Sequence, residues 1–231
     1  MKWLLLAVFF FLGCGTSTEV SKGIIVPQYF YDSALWDKVI NADIGGYVII
    51  NPSNGPGDSA DSAYVNEINE LNAHSKIPIG YIYTKWGDRS IDDVKADIDK
   101  WLELYSGIKG FFVDEAASSA DKSEYYTELA DYIKSKGDYK IVLNPGTKPD
   151  AVYFGIADTV VVYESNASAV PDDVCSNYSD KSAIIVYGAD EEEMENLVNR
   201  PCKYIYVTDD NDSNPYDSLP SYFDEEIDAL K

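Results

Sequence analysis

The sequence predicts one compact (β/α)8 barrel of the TIM type over residues 23–231, an α/β fold. Eight short runs rich in Ile, Val, Tyr and Phe punctuate the chain. A helical pattern follows each run, and strand then helix repeated eight times is the signature of this barrel. Several runs are nearly continuous in apolar residues, as parallel strands covered on both faces must be.

Gly23–Phe30 is the first predicted strand, followed by a predicted helix over Ser33–Ala42. Gly45–Asn51 leads into a helix over Ser62–Lys76, where Val65, Ile68 and Leu71 share one face. Pro78–Thr84 precedes Ser90-Ile91-Asp92-Asp93, which reads as a capping box opening a helix with Val94, Ile98, Trp101 and Leu102 on one side. Ile108–Glu115 precedes a helix over Ser123–Lys136, which Gly137 is placed to stop. The remaining runs are Tyr139–Asn144, Thr159–Glu164, Ala183–Tyr187 and Lys203–Thr208. Shorter helices are expected over Pro149–Ile156, Pro171–Tyr178, Glu191–Asn199 and Tyr222–Leu230. A doubly wound open sheet is the competing architecture, but no Gly-rich phosphate fingerprint follows the first run.

The N-terminus reads as a targeting segment. Lys2 precedes an apolar run from Trp3 to Leu12, too short to span a bilayer and suited to the core of a secretory signal. Phe11-Leu12-Gly13-Cys14 resembles a bacterial lipobox, which implies a signal peptide over 1–13 and lipidation of Cys14. Residues 14–22 are then a polar tether, and acyl chains hold the protein to a membrane face without spanning it. The expected location is the cell envelope, as a monomer.

The chain carries 18 basic and 40 acidic residues, a net charge of −22. Removal of Lys2 makes it −23. This argues against nucleic acid and anionic polymers as partners and suits a neutral or cationic substrate, although solubility alone accounts for such a charge. Cys175 and Cys202 remain after lipidation, as a disulfide or as two buried thiols. His74 is the one histidine, so neither a His-based triad nor a His-rich metal site is available. Asp209, Asp210, Asp212 and Asn214 lack the central Gly and distal Glu of a calcium loop. The sequence therefore calls for no cofactor and no metal.

In barrels of this kind chemistry sits at the C-terminal ends of the strands. Asp114, Glu115 and Glu164 terminate apolar runs directly. Carboxylates are poor strand residues and costly to bury. By alternation Asp114 shares a face with Phe112, and Glu164 one with Val162. If both faces point inward, two carboxylates meet across the barrel mouth, as glycoside hydrolysis requires. Aromatics at strand ends, including Tyr29, Tyr31, Tyr81, Tyr83 and Tyr187, have faces that stack on sugars, as does Trp86 in a loop. Arg89 either anchors that loop or contacts substrate. Asp209, after the last run, is a further candidate contact.

Four strand-end motifs, taken together and in order, resemble the spherulin-4-like family. They are Asn-Pro-Ser-Asn-Gly-Pro-Gly at 51–57, Gly-Tyr-Ile-Tyr-Thr-Lys-Trp-Gly-Asp-Arg at 80–89, Gly-Phe-Phe-Val-Asp-Glu at 110–115 and Asn-Pro-Gly-Thr at 144–147. The resemblance runs from about Gly23 to Tyr187. It implies a (β/α)8 fold and endo-acting hydrolysis of α-1,4-linked galactosamine or N-acetylgalactosamine polymers. It places the family's functional acids on Asp114, Glu115 and Glu164, and sugar subsites near Asn51, Tyr83 and Asn144. The expected roles are nucleophile for Asp114, acid/base for Glu164 and support for Glu115. A sugar-binding lipoprotein without catalysis and a structural envelope protein are the competing readings.

Overall fold

The computed structural model describes residues 21–211 and 213–231. The expected signal peptide, Cys14 and most of the tether lie outside the described residues. Eight parallel strands close into a barrel in sequence order. They are β1 (Gly23–Gln28), β2 (Gly46–Ile50), β3 (Lys76–Tyr83), β4 (Gly110–Asp114), β5 (Lys140–Leu143), β6 (Thr159–Asn166), β7 (Ser182–Tyr187) and β8 (Tyr204–Val207). The helices around them are α1 (Ser33–Asn41), α2 (Ser62–Ala73), α3 (Ile91–Leu104), α4 (Ser123–Lys136), α5 (Tyr153–Ile156), α6 (Glu191–Leu197) and α7 (Phe223–Ala229). None of these is long and apolar enough to cross a membrane.

Ladder pairing decides which side chains face the barrel interior. Partnered residues of parallel strands point to the same side, so one face can be followed around the closed sheet. It runs from Ile25 to Tyr47, and separately from Tyr81 to Phe112, Val142 and Thr159, then from Val161 to Ala183 and Tyr204. The Tyr47 and Tyr204 rings lie 4.6 Å apart although β1 separates their strands, so this face is the interior. By alternation Tyr29, Asn51, Tyr81, Asp114 and Asn144 belong to it.

Strict alternation along β6 would leave Glu164 on the outer face, since Thr159 and Val161 point inward. A bulge prevents this. Val161 pairs with Ala183 but Tyr163 pairs with Ile184 and Glu164 with Ile185, so Val162 is the extra residue. Glu164 therefore shares the interior face with Val161, which corrects the parity with Val162 expected from the sequence.

Other expectations need correction. The run over Pro171–Tyr178 forms turns rather than a helix. Only Val174 and Cys175 are buried there, which is too narrow a stripe to seat a helix, and Cys175 is tied to Cys202 by a disulfide. Ser90 makes no side-chain cap on α3, so the expected capping box is absent. Asp61 caps α2, accepting from the Ala63 N–H at 2.8 Å. Helix α5 covers only the end of the stretch expected from Pro149. Helix α4 forms as expected and stops at Gly137.

Helix α3 seats on β3 through a specific fit. A Cβ on Gly80 would lie 2.7 Å from the Trp101 ring, whose Nε1 donates to the Tyr81 carbonyl at 2.9 Å. The residue must be glycine for α3 to approach this closely. At the seam, β1 and β8 pair only through Gly23–Tyr204 and Ile24–Ile205. Beyond it the Val207 N–H donates instead to Glu226 of α7 at 2.7 Å.

Candidate active site

The strand ends bring two acids to one amide. Asp114 is the last residue of β4, Glu164 projects from β6 beyond the bulge, and Asn144 directly follows β5. The Asn144 Nδ2 donates to Asp114 Oδ1 at 2.7 Å and to Glu164 Oε2 at 2.5 Å. These two oxygens are thus no farther apart than both bonds laid end to end, about 5.2 Å. Asn144 Oδ1 accepts from the Gly146 N–H at 3.0 Å, which fixes the amide with its nitrogen toward the acids. Gly146 adopts φ +64°, a left-handed turn that brings this N–H back to the side chain.

Each acid has a tyrosine on its other oxygen. The Tyr81 hydroxyl donates to Asp114 Oδ2 and the Tyr216 hydroxyl to Glu164 Oε1, each at 2.8 Å. Tyr29 fills the space between, edge-on to Tyr81 at 6.0 Å and to Tyr216 at 5.8 Å. Asp114 also accepts from the Glu115 backbone N–H.

Burial pushes both carboxyls above the ordinary carboxylate range. For Glu164 the negative charge of Asp114 adds to this, while Asn144 and Tyr216 pull the other way. For Asp114 the opposing pull comes from three donors: Tyr81, the Glu115 backbone and Asn144. Like charges this close cannot both ionise readily, and the better-solvated anion is Asp114. Burial and the Asp114 charge together push Glu164 up, while Asp114 has the greater number of opposing donors. Burial and both acids also raise the Tyr29 phenol, so it stays neutral.

Glu115 sits at φ +48°, a left-handed conformation uncommon for a residue with a side chain. Its carbonyl accepts from Trp86 N–H at 2.6 Å and Thr84 Oγ1 at 2.8 Å. Glu115 thus supports the site through its backbone, holding Asp114 on one side and the Trp86 loop on the other. Trp86 itself, at φ +54°, is 59% exposed.

Several predicted contacts have structural duties. Arg89 is committed to Asp97 at 2.7 Å and to the Tyr83 carbonyl at 3.1 Å, and it lies 4.3 Å from the Tyr83 ring centroid. Of the two roles open for it, the structure shows loop anchoring. Asn51 accepts from the Gly55 N–H at 2.9 Å and shapes the β2–α2 loop. Asp209 accepts from the Ser221 N–H at 3.1 Å and Oγ at 2.5 Å, closing the base of the loop that carries Tyr216. Tyr187 ends β7, half-buried. Asn144 is 3% exposed and donates to both acids, a positioning duty.

Sequence reasoning passed over Tyr216 altogether and left Tyr81 among the general aromatics. Tyr216 lies in a polar Asp/Asn/Ser-rich loop, where a lone aromatic flanked by Pro215 was the available signal. It is only 7% exposed despite that setting.

The fold and its paired acids define a (β/α)8 barrel with the two-carboxylate mouth of a carbohydrate-active protein. The model of the Spherulation-specific family 4 matches residues 23–230, and the chain belongs to that family. Spherulin-4 of Physarum polycephalum is 36% identical over 93% of this chain and 71% of its own length. The crystal structure of Aspergillus clavatus Sph3 in complex with GalNAc superposes with a TM-score of 0.78 at 25% identity, over 91% of this chain and 97% of that one. A Rhizomucor miehei chitinase shares the fold at a TM-score of 0.57 and 10% identity, over 91% of this chain and 100% of its own.

Proposed function

We propose that this protein is an endo-acting glycoside hydrolase of α-1,4-linked galactosamine or N-acetylgalactosamine polymers, with Asp114 as nucleophile and Glu164 as acid/base. The observation that carries the reading is the shared Asn144 donor, which sets the two carboxyls within reach of one glycosidic bond. The GalNAc bound to the related Sph3 supports the sugar class.

The chemistry follows from the two environments. The Asp114 carboxylate forms a bond to the anomeric carbon as the glycosidic C–O bond breaks. Glu164 gives its proton to the departing oxygen. Glu164, now ionised, takes a proton from water as that water attacks the anomeric carbon and frees Asp114. Retaining enzymes hold their carboxyls about 5–5.5 Å apart and inverting ones about 6.5–9.5 Å, and the close pair here favours retention. Trp86, Tyr29, Tyr83 and Tyr187 supply faces for sugar rings. An acyl chain on Cys14 after removal of 1–13 would tether the 23–231 domain to the cell envelope; loss of labelled palmitate from a Cys14→Ser variant tests this.

The decisive experiment is oligosaccharide release from purified α-1,4-galactosaminan, acetylated and deacetylated, by wild type, Asp114→Asn and Glu164→Gln. Release by wild type alone supports the assignment. Near-normal turnover by Asp114→Asn overturns the role given to that residue. No release by folded wild type from either polymer leaves a sugar-binding role.

A further inference from the structure

Beside the acid pair, between the β1–α1 and β2–α2 loops, lies a cavity of about 550 Å3. Tyr29 lines it and also packs against both tyrosines that hold the acids, so one side chain separates the cavity from the mouth. Its outer wall is Tyr31, 63% exposed yet held in place. That ring lies edge-on to Trp36 at 5.1 Å and to Tyr64 at 5.5 Å, and its hydroxyl donates to Asp61 at 3.3 Å. The opposite wall is the loop that Asn51 orders through Gly55.

The lining carries two carboxylates, Asp58 and Asp61, and no Lys or Arg. Lys100 reaches Asp58 from outside at 3.0 Å, on a carboxylate fully open to solvent. Among the described residues Asp61 accepts from Ala63 N–H and Tyr31 and pairs with no cation. A rigid aromatic wall, a sugar-sized space and an unneutralised acid describe a site for a cationic sugar.

We propose that this cavity is a subsite for a hexosamine unit whose 2-amino group is free, with its ammonium at Asp61 and secondarily Asp58. The inference rests on the amino-sugar hydrolase reading and deepens it, since it names the acetylation state required at one position of the chain. An N-acetyl group is neutral and gains nothing from the carboxylates, whereas Tyr31 serves either form.

The test compares kcat/KM on a galactosamine oligosaccharide with that on the same oligosaccharide after chemical N-acetylation. Asp61→Asn keeps the helix cap, because Asn caps as well as Asp, and removes the charge. The ratio of free-amine to acetylated kcat/KM should fall about fivefold in Asp61→Asn, the size of a half-exposed ion pair, and by less in Asp58→Asn. A ratio unmoved by both substitutions overturns the subsite. Calorimetry on Glu164→Gln protein separates this from the hydrolase reading. If wild type cleaves neither oligosaccharide but Glu164→Gln binds the free-amine form in an Asp61-dependent way, the subsite stands and the hydrolase reading falls. If binding is equal for both forms, the subsite falls.

Discussion

The Tyr216 hydroxyl donates to Glu164 Oε1 at 2.8 Å, joining the loop after β8 to the acid on β6 across 52 residues of chain. The donor favours the carboxylate over the acid, so it lowers a pKa that burial and Asp114 raise.

Tyr216→Phe removes that donor and keeps the ring against Tyr29. Glu164 should then hold its proton to higher pH. A general acid is lost as pH rises through its pKa, so the alkaline limb of the pH–rate profile should move upward. The kcat/KM at neutral pH should fall about tenfold, the usual worth of a hydrogen bond to a charged group. A limb that stays in place would show that Glu164 is not the acid.

Deletion of Val162 tests the bulge. Without the extra residue, plain alternation runs from Val161 inward through Tyr163 outward to Glu164 inward, opposite the same partners on β7. Circular dichroism should show the fold retained, and oligosaccharide release should persist. Val162→Ala keeps the residue count and should also keep most of the activity. A folded but inactive deletion variant would mean that pairing with Ile185 does not by itself place Glu164.

Glu226 bears on stability rather than chemistry. It is fully buried, one oxygen accepts from Val207 N–H, and the other has no partner among the described residues. Burial raises its pKa well above the usual value. A raised carboxyl binds its proton more tightly when folded, so its stabilisation is complete below the unfolded pKa and is lost as pH rises toward the folded one. Glu67, pushed up to about 7 by burial, acts in the same direction. Glu226→Gln keeps the acceptor for Val207 and cannot ionise. Its Tm should therefore exceed that of wild type at pH 8 by about 2–4 °C, with the gap closing toward pH 4. A gap that widens on acidification would contradict this sign.

The Cys175–Cys202 disulfide closes a loop with a sequence separation of 27. Chain entropy assigns such a crosslink about 3.5 kcal/mol. Cys175→Ser with Cys202→Ser should lower stability by that order in denaturant titration, while the acids, whose partners lie elsewhere, keep their geometry. Unchanged stability under reducing conditions would show that the crosslink is silent.

The sequence by itself determined the barrel, because apolar runs spaced by helical patterns leave few ways to cover a parallel sheet on both faces. It also determined Asp114, Glu115 and Glu164 as candidates, since an acid ending an apolar strand is conspicuous wherever that strand lies. It set most strand ends one or two residues too far, because the polar residue that closes an apolar run, as at Asn51, Thr84 and Asn144, lies just past the last ladder residue. Only the tertiary structure decided that Glu164 faces inward, since a bulge follows from pairing with β7 and not from the composition of β6. Only the closed sheet placed Asn144 between the acids and brought Tyr216 back to Glu164. The sequence offers Asp209 and Asn51 as sugar contacts and Arg89 as either a loop anchor or a sugar contact, and the partners they hold in the structure, Ser221, Gly55 and Asp97, are fixed by how loops fold back. Local pattern records burial and turn preference, whereas hydrogen bonds between distant strand ends exist only after the barrel closes.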